Sequence, residues 1–558
     1  MDFPTALGRD IFNTKYSHHQ NETWDDRVKV IVNSVCGDLG GLKNFLLSKD
    51  EQNHLVHLMS CFKFMAGGRY NWYSGREARY FNNCYLLRLE DDTREEWADL
   101  AKRSMSCLMT GGGVGADISA CRPAGRALRR TGGVSSGPLS LLYVLSDTGR
   151  YVMQGGSRRS ALYGSMDASH GDIWDFLHCK NWHDMVIEGA YTPDGKPFTI
   201  ADAKRADFNY KAPLDMMNIS VNYGDDWLDG NDNEVFMENC KQALMTGEPG
   251  FSFNFGDKSG ETLRNACTEI TSSDDSDVCN LGSVNMAAID TIEEFKDVVS
   301  LASKFLVCGL IRAHLPYEKV EKVRQQNSRL GLGLMGIHEW LLKRGYRYEM
   351  NDELKKWMKV YETESERSAN EHCERLYLSR PKGYRAIAPT GTISLLAGTT
   401  SGMEPIYATG YRRRYLTDGT RWKYQYSCDN SAQAIQDIYG FSDEEMDTKV
   451  ESAVDLAKDV ERRIKFQYEL QKYVDHAISS TVNLPMWGSD YNNQDHVVEF
   501  SKIIRKYGPG LRGLTFYPDT SRGGQPLEAV PWAEAKAKRG VVYEDNSEEQ
   551  CLSGVCSI

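Results

Sequence analysis

The fold turns on residues 84–119, CYLLRLEDDTREEWADLAKRSMSCLMTGGGVGADIS. Cys84–Leu89 is an apolar run of strand length, Arg94–Thr110 repeats its apolar residues at helical spacing, and Gly113–Ser119 is a second strand-like run. The same alternation continues downstream. Strand-like ALYGSM (161–166), MNISVNY (217–223), GFSFNF (250–255) and CNLGSVNMAAI (279–289) are interleaved with helical GPLSLLYVLSDTGRYVMQ (137–154) and EEFKDVVSLASKFLVCGLI (293–311). Strands separated by helices predict an α/β architecture with a largely parallel sheet or barrel.

Outward from this core the texture changes. The first eighty residues carry helical patterns in TWDDRVKVIVNSV and QNHLVHLMSCFKFM. Longer helices are expected around 350–378 and 444–478, and the apolar segments AIAPTGTISLLAG, STVNLP and RGLTFYPD could close a barrel begun by the first half. From about Gln525 the chain turns polar and charged and reads as a mobile tail ending in EDNSEEQCLSGVCSI. The expected organisation is an N-terminal helical segment (1–80), a catalytic α/β domain (81–525) and a flexible C-terminal tail (526–558).

At 558 residues and 41% hydrophobic content the chain is long enough and apolar enough for a large core. It has no apolar run of membrane-spanning length, and its start, MDFPTALGRDIF, lacks a secretory pattern, so a cytoplasmic, membrane-free protein is expected. A net charge of −12 disfavours a nucleic-acid backbone as partner, whereas a small polyanion in a locally basic pocket stays possible. Fourteen scattered cysteines form no disulfide framework, and most are expected to be reduced.

Three patterns carry chemistry. In Asn265-Ala-Cys267-Thr-Glu269 an amide, a thiol and a carboxyl alternate, so an extended chain would put all three on one face. Cys84 and Cys279 lie in or beside predicted strands, where the bland reading is a buried core cysteine. Cys551 and Cys556 sit on the polar tail, where core packing is no explanation. Half a zinc site would need further ligands that the tail does not offer, so a dithiol acting by exchange is favoured. Pro389-Thr390-Gly391-Thr392-Ile393-Ser394 could open a helix and hold an anion, and Gly111-Gly112-Gly113 could let a ligand approach the backbone.

Taken in order, NCYLL, GGGVGADIS, RPAGR, TGGVSSGPLS, QGGSRR, NACTE, CNLGSVNM, LGLMGIHEW, APTGTIS, SGMEPIY, STVNLP, GLTFYPDTSRGGQPL and the terminal cysteine pair resemble the large, catalytic subunit of ribonucleotide reductases, over nearly the whole chain from about Tyr16. The resemblance implies a ten-stranded α/β barrel of two five-stranded parallel halves, with a central finger loop carrying Cys267. It implies that Cys267 becomes a thiyl radical abstracting the ribose 3′ hydrogen, that Glu269 is the base on the 3′ hydroxyl and that Asn265 binds the sugar. Cys84 and Cys279 would supply the reducing equivalents. Cys551 and Cys556 would reset them and be recharged by a thioredoxin- or glutaredoxin-like protein. Asn83, Gly112, Gly113 and Pro389 to Ser394 would hold the ribonucleotide di- or triphosphate.

The radical source is read from the same resemblance. The tail and GLTFYPD region are unlike the glycyl-radical class. Oxygen-dependent relatives, which need a separate metal-containing subunit, pass the radical through two adjacent tyrosines, and here the pair is Phe516-Tyr517. The wording of several segments is closer to the adenosylcobalamin-dependent class, which makes adenosylcobalamin the expected cofactor. No separate N-terminal ATP-binding domain is expected. Residues 137–164 resemble the dimer helix and effector loop, implying a homodimer, and Asp91 would contact a deoxynucleotide or ATP effector. The readings from other classes are a nucleotide-binding regulatory protein without catalysis and a zinc-binding structural protein.

Overall fold

The computed structural model describes residues 2–37, 46–129, 131–152, 160–207, 210–230, 233–417, 421–521 and 527–544. Its first strands are β1 (Phe64–Ala66), β2 (Cys84–Arg88), β3 (Gly113–Asp117) and β4 (Leu162–Asp167). An exposed hairpin, β5 (Val186–Tyr191) and β6 (Pro197–Thr199), precedes β7 (Met217–Tyr223) and β8 (Gly250–Phe253). A second, internal hairpin is β9 (Leu263–Arg264) and β10 (Thr271–Ser272), and β11 (Asp277–Asn285) and β12 (Leu330–Met335) follow it. The remaining strands are β13 (Gly410–Thr417), β14 (Arg421–Cys428), β15 (Thr481–Leu484), β16 (Gly513–Pro518), β17 (Leu527–Val530) and β18 (Val542–Glu544).

The residues quoted first form the first parallel step, with β2 and β3 paired in register from Cys84↔Gly113 to Arg88↔Asp117 and the helix Arg94–Met109 between them. Thr93 caps that helix through its side chain, and Glu95 and Glu96 complement the dipole of its first turn. β4, β7 and β8 extend the parallel order in turn. In the second half β11 pairs with β12 and β15 with β16, both parallel. Parallel bridges Leu332↔Arg385 and Ile387↔Ile478 put the chain at 385–387 between those pairs. The halves meet antiparallel at β2–β11 and β8–β16, which closes the ring, and β1 adds outside on β11. The expected ten-stranded barrel of two five-membered parallel halves is therefore present.

Side-chain alternation divides the core. Tyr85 and Leu87 face the outer helices, whereas Cys84 and Leu86 face inward, where Leu263, Ile270, Cys279, Leu281, Ala386 and Ala388 complete a small internal cluster. The N-terminal helices Trp24–Cys36 and Lys49–Ser60 pack with the helices Ile292–Arg312 and Asp352–Arg375 in a separate apolar layer on the second half.

Two expectations change. The helix foreseen over 444–478 is broken into Met446–Lys449, Ala453–Leu456 and Val460–Gln471. Ser452 and Asp455 form a capping box and Asp459 caps the next start, so polar caps restart the helix twice. Residues 527–530 and 542–544, foreseen as part of the mobile tail, are strands, because β17 pairs with β13 and β18 with β14. Trp532, fully buried, anchors this four-stranded sheet beside Leu342, Ile406 and Ala535. One aromatic and a ladder of backbone hydrogen bonds suffice where composition suggested none. Cys551 and Cys556 lie outside the described residues. Among the described residues no helix is long and apolar enough to cross a membrane.

Candidate active site

The β9–β10 hairpin rises inside the barrel, held at its base by buried charge. Arg264 donates to the carbonyls of Glu261 (2.6 Å) and Arg512 (3.0 Å) and to the side chain of Asn254 (2.8 Å). Burial, and then the neighbouring Arg512, push its guanidinium down to about 9. Arg512 pairs with Glu261 (2.9 Å), which accepts from Thr271 (3.0 Å), so both legs of the hairpin are tied to one carboxylate. The barrel wall makes room with glycine. A Cβ at Gly115 would collide with the Arg264 carbonyl, and one at Gly113 would lie 2.7 Å from the Ala266 methyl.

The tip is a tight turn in place of the extended face expected from i, i+2, i+4 spacing. Thr268 N–H donates to the Asn265 carbonyl (3.0 Å), and Thr268 takes φ +67°, a left-handed conformation costly for a β-branched residue. Asn265 closes the loop through its side-chain oxygen, which accepts from Ile270 N–H (2.9 Å). Asn265, Cys267 and Glu269 nonetheless line one cavity of about 240 Å³. Cys267 is only partly buried there, while Asn265 and Glu269 are fully buried.

Barrel closure supplies the second group. Cys84 on β2 stands directly opposite Cys279 on β11, both as free thiols. Cys84 Sγ accepts from Asn265 Nδ2 (3.0 Å) and donates to Glu269 Oε1 (3.6 Å), so finger and strand thiol share one network. Burial, and then Glu269, push the Cys84 thiol well up; burial, and then Asp277, do the same for Cys279. Cys84 borders the cavity and Cys279 lies behind it, where the absent side chain of Gly331 leaves room for its sulfur.

The opposite wall is Pro389, Thr390, Gly391, Thr392 and Ile393, leading into the helix Ile393–Ala397. Thr390 adopts φ +52°, and its hydroxyl accepts from Gly402 N–H (2.8 Å), fixing a turn that turns backbone toward the cavity. Ser394 is buried behind the wall with its hydroxyl on Ser401 (2.7 Å), so it does not line the cavity. Gly112 does not line it either, since its α-carbon is packed against the Tyr85 ring, whereas Gly111 and Gly113 do. Asn83 lines it and holds a buried side-chain oxygen with no hydrogen-bond partner among the described residues. Asp91 is an exposed turn residue; the ion pair nearby, to Arg122, belongs to Asp92.

Sequence reasoning missed Tyr16, Gly67 and Gly68, which also line the cavity. Tyr16 ends a π-helical turn, Phe12–Tyr16, and its hydroxyl lies against Gly68. Such turns concentrate at functional sites, but no residue pattern announced this one.

A family model described as "Ribonucleotide reductase, barrel domain" matches residues 82–223, 233–374 and 380–517. A Mycobacterium tuberculosis protein named vitamin B12-dependent ribonucleoside-diphosphate reductase is 27% identical, covering 82% of this chain and 70% of that one. A protein of the same name from Thermoplasma acidophilum is 24% identical over 88% of this chain and 68% of its own length. A Mycobacterium phage D29 protein, provisionally named an adenosylcobalamin-dependent ribonucleoside-triphosphate reductase, is 23% identical over 99% and 98%. Among solved structures, the Actinobacillus ureae class Id ribonucleotide reductase alpha subunit superposes with a TM-score of 0.68 at 17% identity, covering 92% of this chain and 97% of that one.

Proposed function

The chain belongs to the ribonucleotide reductase family, which reduces ribonucleotides to deoxyribonucleotides, and on that premise we propose a division of labour among the residues of the cavity. The observation that carries it is the convergence of Cys267, Glu269 and Asn265 with the cross-strand thiols Cys84 and Cys279. A ribonucleotide would place its phosphates against 389–393 and its ribose over the finger tip. Cys267, as a thiyl radical, takes the 3′ hydrogen atom and Glu269 takes the 3′ hydroxyl proton. The 2′ hydroxyl leaves as water with a proton from the Cys84–Cys279 pair, which ends as a disulfide after giving two electrons. Cys267 then returns the hydrogen atom. The balance is ribonucleotide plus dithiol giving deoxyribonucleotide, disulfide and water. Keeping both thiols protonated by burial suits donors of hydrogen.

For the radical source we favour adenosylcobalamin, as the names of the similar proteins suggest. When bound it supplies a carbon-centred radical by homolysis of its cobalt–carbon bond. Cys267 and Thr268, the partly exposed tip of the finger, are the residues that would meet it, and an accessible thiol fits that role. A relay from a second subunit fits less well: Phe516 is packed edge-on to Phe251 and Phe500 in the apolar layer, where it has no proton to lose. Purified protein with adenosylcobalamin and a dithiol is expected to reduce ribonucleotides unaided, and Cys267→Ser to abolish turnover while nucleotide binding persists. Activity that appears only with an added metal-containing subunit would sink the cobalamin reading. Assaying diphosphates beside triphosphates decides the substrate form.

The same reading assigns the helix Gly137–Tyr151, which exposes Tyr143, Val144 and Tyr151, to a homodimer contact and Asp91 to a nucleotide effector. It assigns Cys551 and Cys556 to re-reduction by a thioredoxin- or glutaredoxin-like protein. It keeps residues 1–80 as the N-terminal segment and 81–525 as the catalytic domain.

A further inference from the structure

A second group of thiols lies where the N-terminal layer meets the barrel helices, outside the cavity. Cys36 ends the helix Trp24–Cys36, Cys308 sits near the end of Ile292–Arg312, and His372, Cys373 and Arg375 close the helix Asp352–Arg375. All three cysteines and His372 are buried. Small apolar packing explains a buried cysteine, but it does not explain the polar groups aimed at this one.

Arg375 Nη2 lies 3.3 Å from His372 Nδ1. A guanidinium only donates, so Nδ1 must be the acceptor and the imidazole proton sits on Nε2. Nε2 faces Cys308 Sγ at 3.5 Å, so it donates to the sulfur. The Cys36 thiol is the neighbour of the same sulfur, each shifting the other's ionisation. Cys308 thus receives a donor from His372, and Arg312, four residues further along the same helix, donates to the carbonyl of Gly37, next to Cys36. Burial opposes ionisation of Cys308, but its neighbours Cys36 and His372, and then the charge of Arg375, outweigh it and hold the thiol below its ordinary range; Cys36 is pushed up by burial and by Cys308. Glu51, Cys373 and Tyr70 are the other ionisable groups that feel this pair. Among the described residues no Cys, His and carboxylate group is arranged to hold a metal.

We propose that Cys36 and Cys308 are a second redox-active dithiol, separate from the Cys84–Cys279 pair, with Cys308 as the attacking thiolate, His372 as its positioning residue and a hydroperoxide as oxidant. The Cys308 thiolate attacks the peroxide oxygen, breaking the O–O bond to give a sulfenic acid and an alkoxide or hydroxide. The Cys36 thiol then displaces water, forming the disulfide, so that two electrons pass from the thiols to the peroxide. Both thiols are buried, so a peroxide reaches Cys308 only when the last turn of the Cys36 helix opens. The link would pin the N-terminal layer to the helix Ile292–Arg312. Tyr70 connects that helix to the reductant strand: its hydroxyl fits against Gly309 and accepts from Asn280 Nδ2 (2.7 Å), next to Cys279.

The test is peptide mapping of the reduced full-length protein after titration with hydrogen peroxide, alkylation and digestion without reductant. A Cys36–Cys308 linked peptide, reversed by dithiothreitol, is the expected result, with Cys36→Ser leaving a sulfenic acid on Cys308 that dimedone traps. His372→Ala should slow this link ~10-fold by removing the donor to the thiolate and leave the rate of the Cys84–Cys279 link unchanged. Recovery of Cys36 and Cys308 as separate alkylated peptides, at peroxide doses that join Cys84 to Cys279, overturns the proposal on wild-type protein alone. Over-oxidation of Cys308 without the link overturns it equally.

Discussion

Their surroundings push Cys84 and Cys279 in one direction and Cys308 in the other. Cys84 and Cys279 have burial and carboxylates around them, and both effects favour the neutral thiol. A thiol pKa raised in the folded state contributes stability that is fully present below the unfolded value, about 8.5, and is lost as pH rises toward the folded value. Unfolding titrations should therefore show stability falling on the alkaline side, and Cys84→Ser should reduce that fall. Reactivity gives a sharper reading, because each unit of upward shift cuts the thiolate fraction about tenfold. Iodoacetamide labelling of Cys84, followed by mass spectrometry, should lag that of an unfolded cysteine by at least ~10-fold at pH 8. A labelling midpoint at or below that of a free thiol would contradict the protonated pair on which the proposed reduction step depends. Of these residues Asn265, Cys267 and Glu269 were legible from their spacing, although a turn and not a strand brings them together. The Cys84–Cys279 pairing was not legible from spacing, because two strands far apart in sequence meet only when the barrel closes.

At the scale of elements, the glycines of β3 show how a pattern can be noticed for one reason and matter for another. Gly111–Gly113 suggested close approach of a ligand, yet Gly113 and Gly115 admit the finger itself. Gly115→Ala places a methyl group against the Arg264 carbonyl, backbone that the buried Arg264 guanidinium and the Glu261–Arg512 pair hold in place. Overpacking of this kind costs about 1–3 kcal/mol. Moving the finger tip by about 1 Å should also cut turnover by ~100-fold, since the reacting groups must stay aligned. Thermal unfolding and turnover of the variant check both, and wild-type turnover would show that the finger does not depend on this contact. The parallel strands were readable because both faces are buried and their apolar runs are continuous. The segment 385–387 was harder, since it joins the barrel through isolated bridges. The hairpin β13–β14 was missed because its arginines and tyrosines disguise a period of two, in which Tyr424, Tyr426 and Cys428 are the buried members.

For the molecule as a whole, the small sheet of β17, β13, β14 and β18 has its own core around Trp532, apart from the apolar layers of the barrel. It is also the last described structure before the terminal cysteines: β18 ends at Glu544 and Cys551 follows seven positions later. Seven residues span at most ~25 Å, so the end of β18 bounds where the first of the terminal thiols can reach. Trp532 donates its backbone and indole N–H groups to Asp447 (3.0 Å) and Asp443 (3.2 Å), which tie the helix Trp532–Ala537 to the chain at 443–447 in the same small core. Trp532→Ala removes a filled core site and should cost that unit about 3–5 kcal/mol, enough to unfold it locally while the barrel persists. The two reductant routes then separate. Turnover supported by a small dithiol, which can reach Cys84 through the cavity, should survive in Trp532→Ala. Turnover supported by a thioredoxin-type protein, which in the proposed cycle must act through Cys551 and Cys556, should fall ~10-fold or more as the effective concentration of the tethered dithiol drops. Equal loss by both routes would mean that the sheet supports the barrel and not the tail, and equal survival would mean that the tail needs no mooring.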